Sequence, residues 1–260
     1  MPDGPESCID KSKRLEADDT FCFSCTPEKK CFTQCCYDIN LVLMPYDILR
    51  LKNRLGITSG EFLQRHTSVH VGPTSGLPVV LLKLEGPYQK CPFLDQESGC
   101  TVYEDRPGAC RTYPLARVAC RGKDREGVEE FYYLVKEPDC LGFRDGKSWT
   151  VREWREREGV RPYDEMNDLF GELLQAKAEA GGPSLNADQI EICYMGCYDI
   201  DGFREFFLNS PNLERYMETE EVVQELSRDE EALLRYGIRW VRKKLFLGGL
   251  FACGASCGIS

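Results

Sequence analysis

The chain has 260 residues, of which 42% are hydrophobic and 29% charged, with a formal net charge of -10. That is the make-up of an ordinary globular protein with room for a sizeable core, and its acidity argues against nucleic acid or anionic membrane surfaces as general partners. No stretch reaches the ~18 apolar residues of a membrane span, and the odd count of fifteen cysteines fits a fully disulfide-paired protein poorly.

The first segment, MPDGPESCIDKSKRLEADDT, carries no apolar run. It reads as a disordered polar arm over residues 1–20, without a secretory leader. A cytoplasmic location follows as an expectation, and there thiols stay reduced and clustered cysteines serve as ligands more than as disulfides. A cysteine-rich segment starts at Phe21. MPYDILRLKNRLG predicts a helix, with Pro45 in the first turn, Ile48, Leu49 and Leu51 on one side and Gly56 as a stop. TSGEFLQRHT predicts a second helix capped by Thr58 or Ser59. LPVVLLKLE is a buried strand, and CPFL and CTVY form a hairpin around the turn DQESG. Pro107 opens and Pro114 closes a single helical turn. EEFYYLVKE is a further strand leading to Cys140. From Ser148 onward SWTVREWREREG, DEMNDLFGELLQAKAEA, DGFREFFLNS, TEEVVQELS and DEEALLRYGIRWVRKKLF all show helical apolar spacing, with Ser227 or Asp229 capping the last. The expected fold is α+β: a small cysteine-rich lobe of short strands and helices around a metal site (21–147), then an all-helical C-terminal lobe (148–260).

Eight cysteines stand in short, turn-bracketed surroundings. FSCTPEKKCFTQCC supplies Cys25, Cys31, Cys35 and Cys36; CPFLDQESGCTVYEDRPGACRTYPL supplies Cys91, Cys100 and Cys110; EPDCLGF supplies Cys140. Thiolates at such spacings suit a soft metal or an iron–sulfur cluster. Cys31 and Cys35 could share one helical face. Cys35 and Cys36 point apart in any regular backbone, so they suggest two neighbouring metal positions, a polynuclear cluster, one ligand beside a free thiol, or a vicinal disulfide. The bland alternative is that the thiols are small core residues. Cys22 is a reserve ligand, and Cys8 is incidental. Cys193 with Cys197 and Cys253 with Cys257 could form a second four-thiolate site, although core packing is the simpler reading. His66 and His70 read as the end of a surface helix.

Arg106, Arg111 and Tyr113 flank the ligands, with Tyr103 beside them. They are candidates to bind the cofactor, to tune thiol pKa or to hold an anionic substrate, against the alternative of a solvated face. With Arg117, Arg121, Lys123 and Arg125 the two arginines form the densest basic patch. Neither GxxxxGK[ST] nor GxGxxG is present, so ATP and dinucleotide use have no support.

In order, CFSCTPEKKCFTQCC, the LMPYDILRLKNRLG helix, CPFL, GCTVYEDRPGACRTYPL and EPDCLGF resemble the YkgJ-type cysteine-cluster family, over roughly residues 21–145. The resemblance implies a zinc- or iron-chelating domain, often labelled an iron–sulfur protein. It also implies ligand roles for Cys25, Cys31, Cys35, Cys36, Cys91, Cys100 and Cys110, and for Cys140 as an eighth. The first block departs from the family pattern, with five and three residues between cysteines where two are usual. Three functions stay in view. The first is an iron–sulfur protein with a redox or modification-linked role. The second is a structural zinc module that binds a protein or peptide partner. The third is a methylase-like factor, because flagellin lysine methylases carry a similar cysteine region; no methyl-donor site is recognisable here. Nothing in the sequence fixes the oligomeric state.

Overall fold

The computed structural model describes residues 9–120, 128–209 and 218–247. Cys8, Arg121, Lys123, Arg125, Cys253 and Cys257 fall outside them. The fold is α+β, with short strands in small antiparallel sheets and helices dominating the C-terminal half.

The strand β1 (Ile9–Leu15) lies where a disordered arm was expected. It pairs with β9 (Glu129–Val135), which pairs in turn with β8 (Leu115–Cys120). An open edge of β9 would leave a row of backbone N–H and C=O groups unpaired, and β1 satisfies them. β2 (Thr20–Phe23) pairs with β10 (Lys147–Thr150). The SWT segment, expected at the start of a helix, is therefore strand up to Thr150. There the Thr150 side chain accepts from the Glu153 N–H at 3.1 Å and begins α4 (Val151–Glu158). A third sheet runs in the order β3 (Val42–Leu43), β5 (Pro78–Leu82), β4 (Thr67–Val71), and the hairpin of β6 (Leu94–Asp95) with β7 (Gly99–Cys100) completes the strands.

The helix α1 (Pro45–Leu55) ends at Gly56, whose φ of 67° is the left-handed stop. Thr58 caps α2 (Ser59–His66). The predicted turn between the two prolines is α3 (Gly108–Thr112), bounded by Pro107 and by a cis Tyr113–Pro114 bond. Beyond α4 follow α5 (Arg161–Glu179), α6 (Ala187–Cys197), α7 (Ile200–Asn209), α8 (Glu220–Arg228) and α9 (Glu230–Arg242), with Asp229 capping α9.

Two apolar cores result. In the larger, Leu43, Ile48, Leu51, Phe62 and Val80 pack with Met166, Leu173, Phe203, Leu233 and Ile238, so burial joins the cysteine-rich lobe to the helices across residue 148. A Cβ at Gly237 would lie 2.3 Å from the Gly196 carbonyl oxygen, so α6 and α9 approach at backbone contact. The buried Lys52 ammonium ties α1 to α9 through Glu230 at 2.6 Å and to α7 through Asp201 at 3.2 Å. The smaller core is aromatic: Leu15, Phe21, Phe23, Leu115, Tyr132, Val151 and Trp154. Phe23 sits at its centre, with ring contacts to Tyr113, Phe143 and Trp154 at 5.1–5.6 Å. Arg117 and Arg155 link this region to α5. Arg117 bonds Asp168 at 2.7 Å and Arg155 bonds Asp164 at 2.8 Å, while both also reach Glu130 on β9.

Candidate metal centre

The cysteine segments meet between the two cores. Cys91 and Cys100 pack against the larger core, and Cys140 against the smaller. Backbone contacts place the segments. The Ser24 N–H donates to the Gly142 carbonyl at 2.9 Å, which sets Cys25 beside the Cys140 loop. The Leu141 N–H donates to the Cys31 Sγ at 3.2 Å, and the Gly142 N–H to the Cys140 Sγ at 3.4 Å. The Cys91 N–H donates to the Cys36 carbonyl at 2.8 Å, joining the first block to the hairpin. Gly142 is required here, because a Cβ would lie 2.3 Å from the Phe23 ring.

The helical face expected for Cys31 and Cys35 does not form. Thr33 has φ 68°, a left-handed residue that stops any helix, and only Gln34–Cys36 makes a 3-10 turn. Successive tight turns (Lys29 N–H to Thr26 O, Phe32 N–H to Lys29 O, Gln34 N–H to Cys31 O) replace it and wrap the segment as a loop.

Electrostatics show the thiols acting on one another. Cys25 is exposed as a residue, but the chain around its sulfur partly desolvates it and pushes the thiol up to about 11, helped by the charges of Cys35, Cys140 and Cys31. Partial burial likewise raises the half-buried Cys91 and Cys100, each of which feels Cys35. Cys35 and Cys36 act on each other: a hydrogen bond from the Cys36 thiol favours the Cys35 thiolate, bringing Cys35 down to about 7 and pushing Cys36 up. Neighbouring thiols oppose one another's ionisation, and a bound cation takes the place of the protons they would otherwise keep. The donor set is soft, so it fits zinc or iron. Every described cysteine is a free thiol. Among the described residues, no three His, Cys, Asp or Glu side chains already close around one point.

The flanking residues are engaged by the protein itself. The Arg106 guanidinium pairs with the buried Glu158 carboxylate, donates to the Tyr103 carbonyl at 2.6 Å and lies 3.8 Å over the Tyr103 ring. Arg111 donates to the carbonyls of Glu158, at 2.6 Å, and Glu104. Tyr113 is different. Burial raises its pKa, and the Cys140 thiol beside its hydroxyl adds to the rise. Tyr113 also lines a cavity of about 1300 Å³ that lies among α5, β8, β9 and the start of α1, with Asp47, Thr112, Glu137, Tyr163 and Asn167 on its walls.

Elsewhere the cysteines are not gathered. Cys22 is exposed on β2, and Cys120 is exposed at the end of β8. Cys193 and Cys197 are buried in the larger core at 2% and 1% exposure, the core-packing reading. His66 ends α2 with its ring 5.3 Å from Phe62 and from Phe93, and His70 lies on β4. Sequence reasoning missed the cavity and Asp47. An Asp in the first turn of a helix reads as an ordinary cap, and no local signal announces its long-range partner.

Cysteine number and the soft chemistry of the thiols mark this as a cysteine-rich protein of the metal-chelating kind, and the comparison with known families points the same way. Residues 24–141 match the family model CxxCxxCC, described as "Putative zinc- or iron-chelating domain", so this stretch of the chain is similar to that family. The matched span contains all eight cysteines singled out above. No curated protein and no solved structure matches the chain. Among the described residues, no helix is long and apolar enough to cross a membrane.

Proposed function

We propose that Cys25, Cys31, Cys35, Cys36, Cys91, Cys100, Cys110 and Cys140 hold an iron–sulfur centre, and that the protein serves a redox or modification-linked role on a protein or peptide partner. The observation that carries this reading is Tyr113, whose hydroxyl lies beside the Cys140 thiol and which also lines the wall of a large cavity. A purely structural metal has no need of such a chamber. Two apolar cores flank the thiols and are built from other residues, so the fold has sources of stability besides the metal. Backbone N–H groups directed at Cys31 and Cys140 are the kind of contact that tunes a cluster's potential. When bound, the cluster would supply electron transfer or Lewis acidity. The chain's own part is to supply thiolates, exclude water through Phe23 and Phe143, and present the Tyr113 hydroxyl.

A structural zinc site is the second reading. Its motive is the short hairpin, where backbone N–H groups at Phe93 and Val102 act on the Cys91 and Cys100 sulfurs two residues before them. Such turns suit zinc as well as iron. Purification without oxygen, followed by metal analysis and a visible spectrum, separates the two. Iron with broad visible absorption supports the cluster. Stoichiometric zinc in a colourless protein rejects it in favour of the second reading.

A further inference from the structure

Asp47 is buried at 2% exposure in the first turn of α1. Its carboxylate oxygens serve two distant parts of the chain. Oδ2 accepts from the Met44 N–H at 2.8 Å and closes the start of α1. Oδ1 accepts from the Gly108 N–H at 2.8 Å, 61 residues further on. Gly108 is the first residue of α3, the short turn that carries Cys110. Arg111, the cation that acts on Asp47, spends its guanidinium on the Glu104 and Glu158 carbonyls.

Burying a carboxylate against two neutral N–H donors is costly. Helix capping alone does not demand it. Glu61 holds the equivalent position in α2, bonds the Thr58 N–H at 3.1 Å, and keeps its side chain 45% exposed. What Asp47 adds is the second arm. Tyr163 also crowds the start of the α3 turn, where its Cδ1 would lie 3.3 Å and Asp47 Oδ1 3.6 Å from a Cβ at Gly108. Tyr163 is itself held by an edge contact with Tyr46 at 4.9 Å. The start of the turn is therefore held by a carboxylate and packed by a ring that belongs to the larger core.

We propose that Asp47 is a positioning residue for the metal centre: its carboxylate bridges the α1 start to the Gly108 N–H and so fixes where Cys110 presents its sulfur. This rests on the reading of Cys110 as a ligand. The bridge is an outer-shell contact of the kind whose loss weakens metal binding about 10- to 100-fold.

The test uses the full-length protein purified without oxygen, comparing wild type, Asp47→Asn and Glu61→Gln. EDTA is added, and metal loss is followed by metal analysis together with thiolate-to-metal absorption, after cobalt(II) exchange if the native metal is colourless. Asp47→Asn keeps shape but turns one acceptor into a donor. It is expected to lose metal about 10-fold faster and to show an altered absorption band. Glu61→Gln is expected to leave both unchanged while lowering the thermal midpoint. Identical release and spectra for Asp47→Asn and wild type overturn the proposal, as does equal damage from Glu61→Gln. Should Asp47→Asn not fold, hydrogen exchange on the wild type decides: a Gly108 amide exchanging as fast as an unstructured one overturns the bridge, and a protected one supports it. A wild type without metal sinks the metal reading itself, an outcome distinct from wild type and variant behaving alike.

Discussion

Cys31 with Cys35 and Cys193 with Cys197 have the same spacing, three residues between thiols, and opposite surroundings. The first pair lies on a loop of tight turns, partly open to solvent, with a backbone N–H aimed at the Cys31 sulfur and the thiols of Cys25 and Cys36 acting on the pair. The second pair lies on α6, where burial raises both thiols, Cys193 to about 12, and Lys177 is the one cation acting on Cys193. A thiolate needs a donor or a cation to persist. The loop supplies donors, and the helix supplies hydrocarbon. Spacing alone therefore says little about which cysteines are ligands.

Metal content is where this contrast should appear at full scale. Cys36→Ser or Cys110→Ser is expected to remove more than half of the bound metal, and Cys193→Ser none of it, by metal analysis of protein purified without oxygen. The contrast breaks if Cys193→Ser loses metal as well. Folding stability should reverse the order. Cys197→Ser places a hydroxyl among apolar side chains and is expected to cost about 1–3 kcal/mol in urea denaturation. Cys25→Ser, in metal-free protein, is expected to stay within about 0.5 kcal/mol. A near-neutral Cys197→Ser would show that the helical pair has unseen partners. Maleimide labelling read by mass spectrometry sharpens the same comparison. Chelator should raise labelling of the cluster thiols about tenfold and leave Cys193 and Cys197 unlabelled while the protein stays folded.

The smallest effect concerns the latch across the larger core. Burial pushes the Glu230 carboxyl up, but hydrogen bonds from Lys52, Arg204 and Asn53 outweigh it and bring it down from 4.5 to about 2. A depressed carboxyl stabilises the fold above its unfolded pKa, and that contribution is lost as pH falls from about 4.5 through about 2. The thermal midpoint should decline over this window in the wild type and decline less in Glu230→Gln. Equal slopes would mean that Glu230 contributes nothing to the latch.

Much of the local structure was legible. Pro45 and Gly56 bracket α1, Thr58 begins α2, and Asp229 begins α9, because caps and breakers act within a turn of their own residue. The turn between Pro107 and Pro114 was legible for the same reason. β1 was not, because a polar segment becomes strand only when β9 offers it an edge. Nor was the loop of Cys31 and Cys35, where the left-handed Thr33 overrides a spacing that a helix would have accommodated.

The sequence by itself determined the donor chemistry: soft thiols in four short segments, punctuated by proline and glycine, in a chain large enough to fold around them. Tertiary structure alone decided how the cysteine segments are joined, that the aromatic and helical cores flank them, that Tyr113 stands beside Cys140 and also lines a cavity, and that Asp47 ties α1 to the Cys110 turn. Side-chain type is a local property, but the encounter of residues 61 positions apart depends on burial summed over the whole chain.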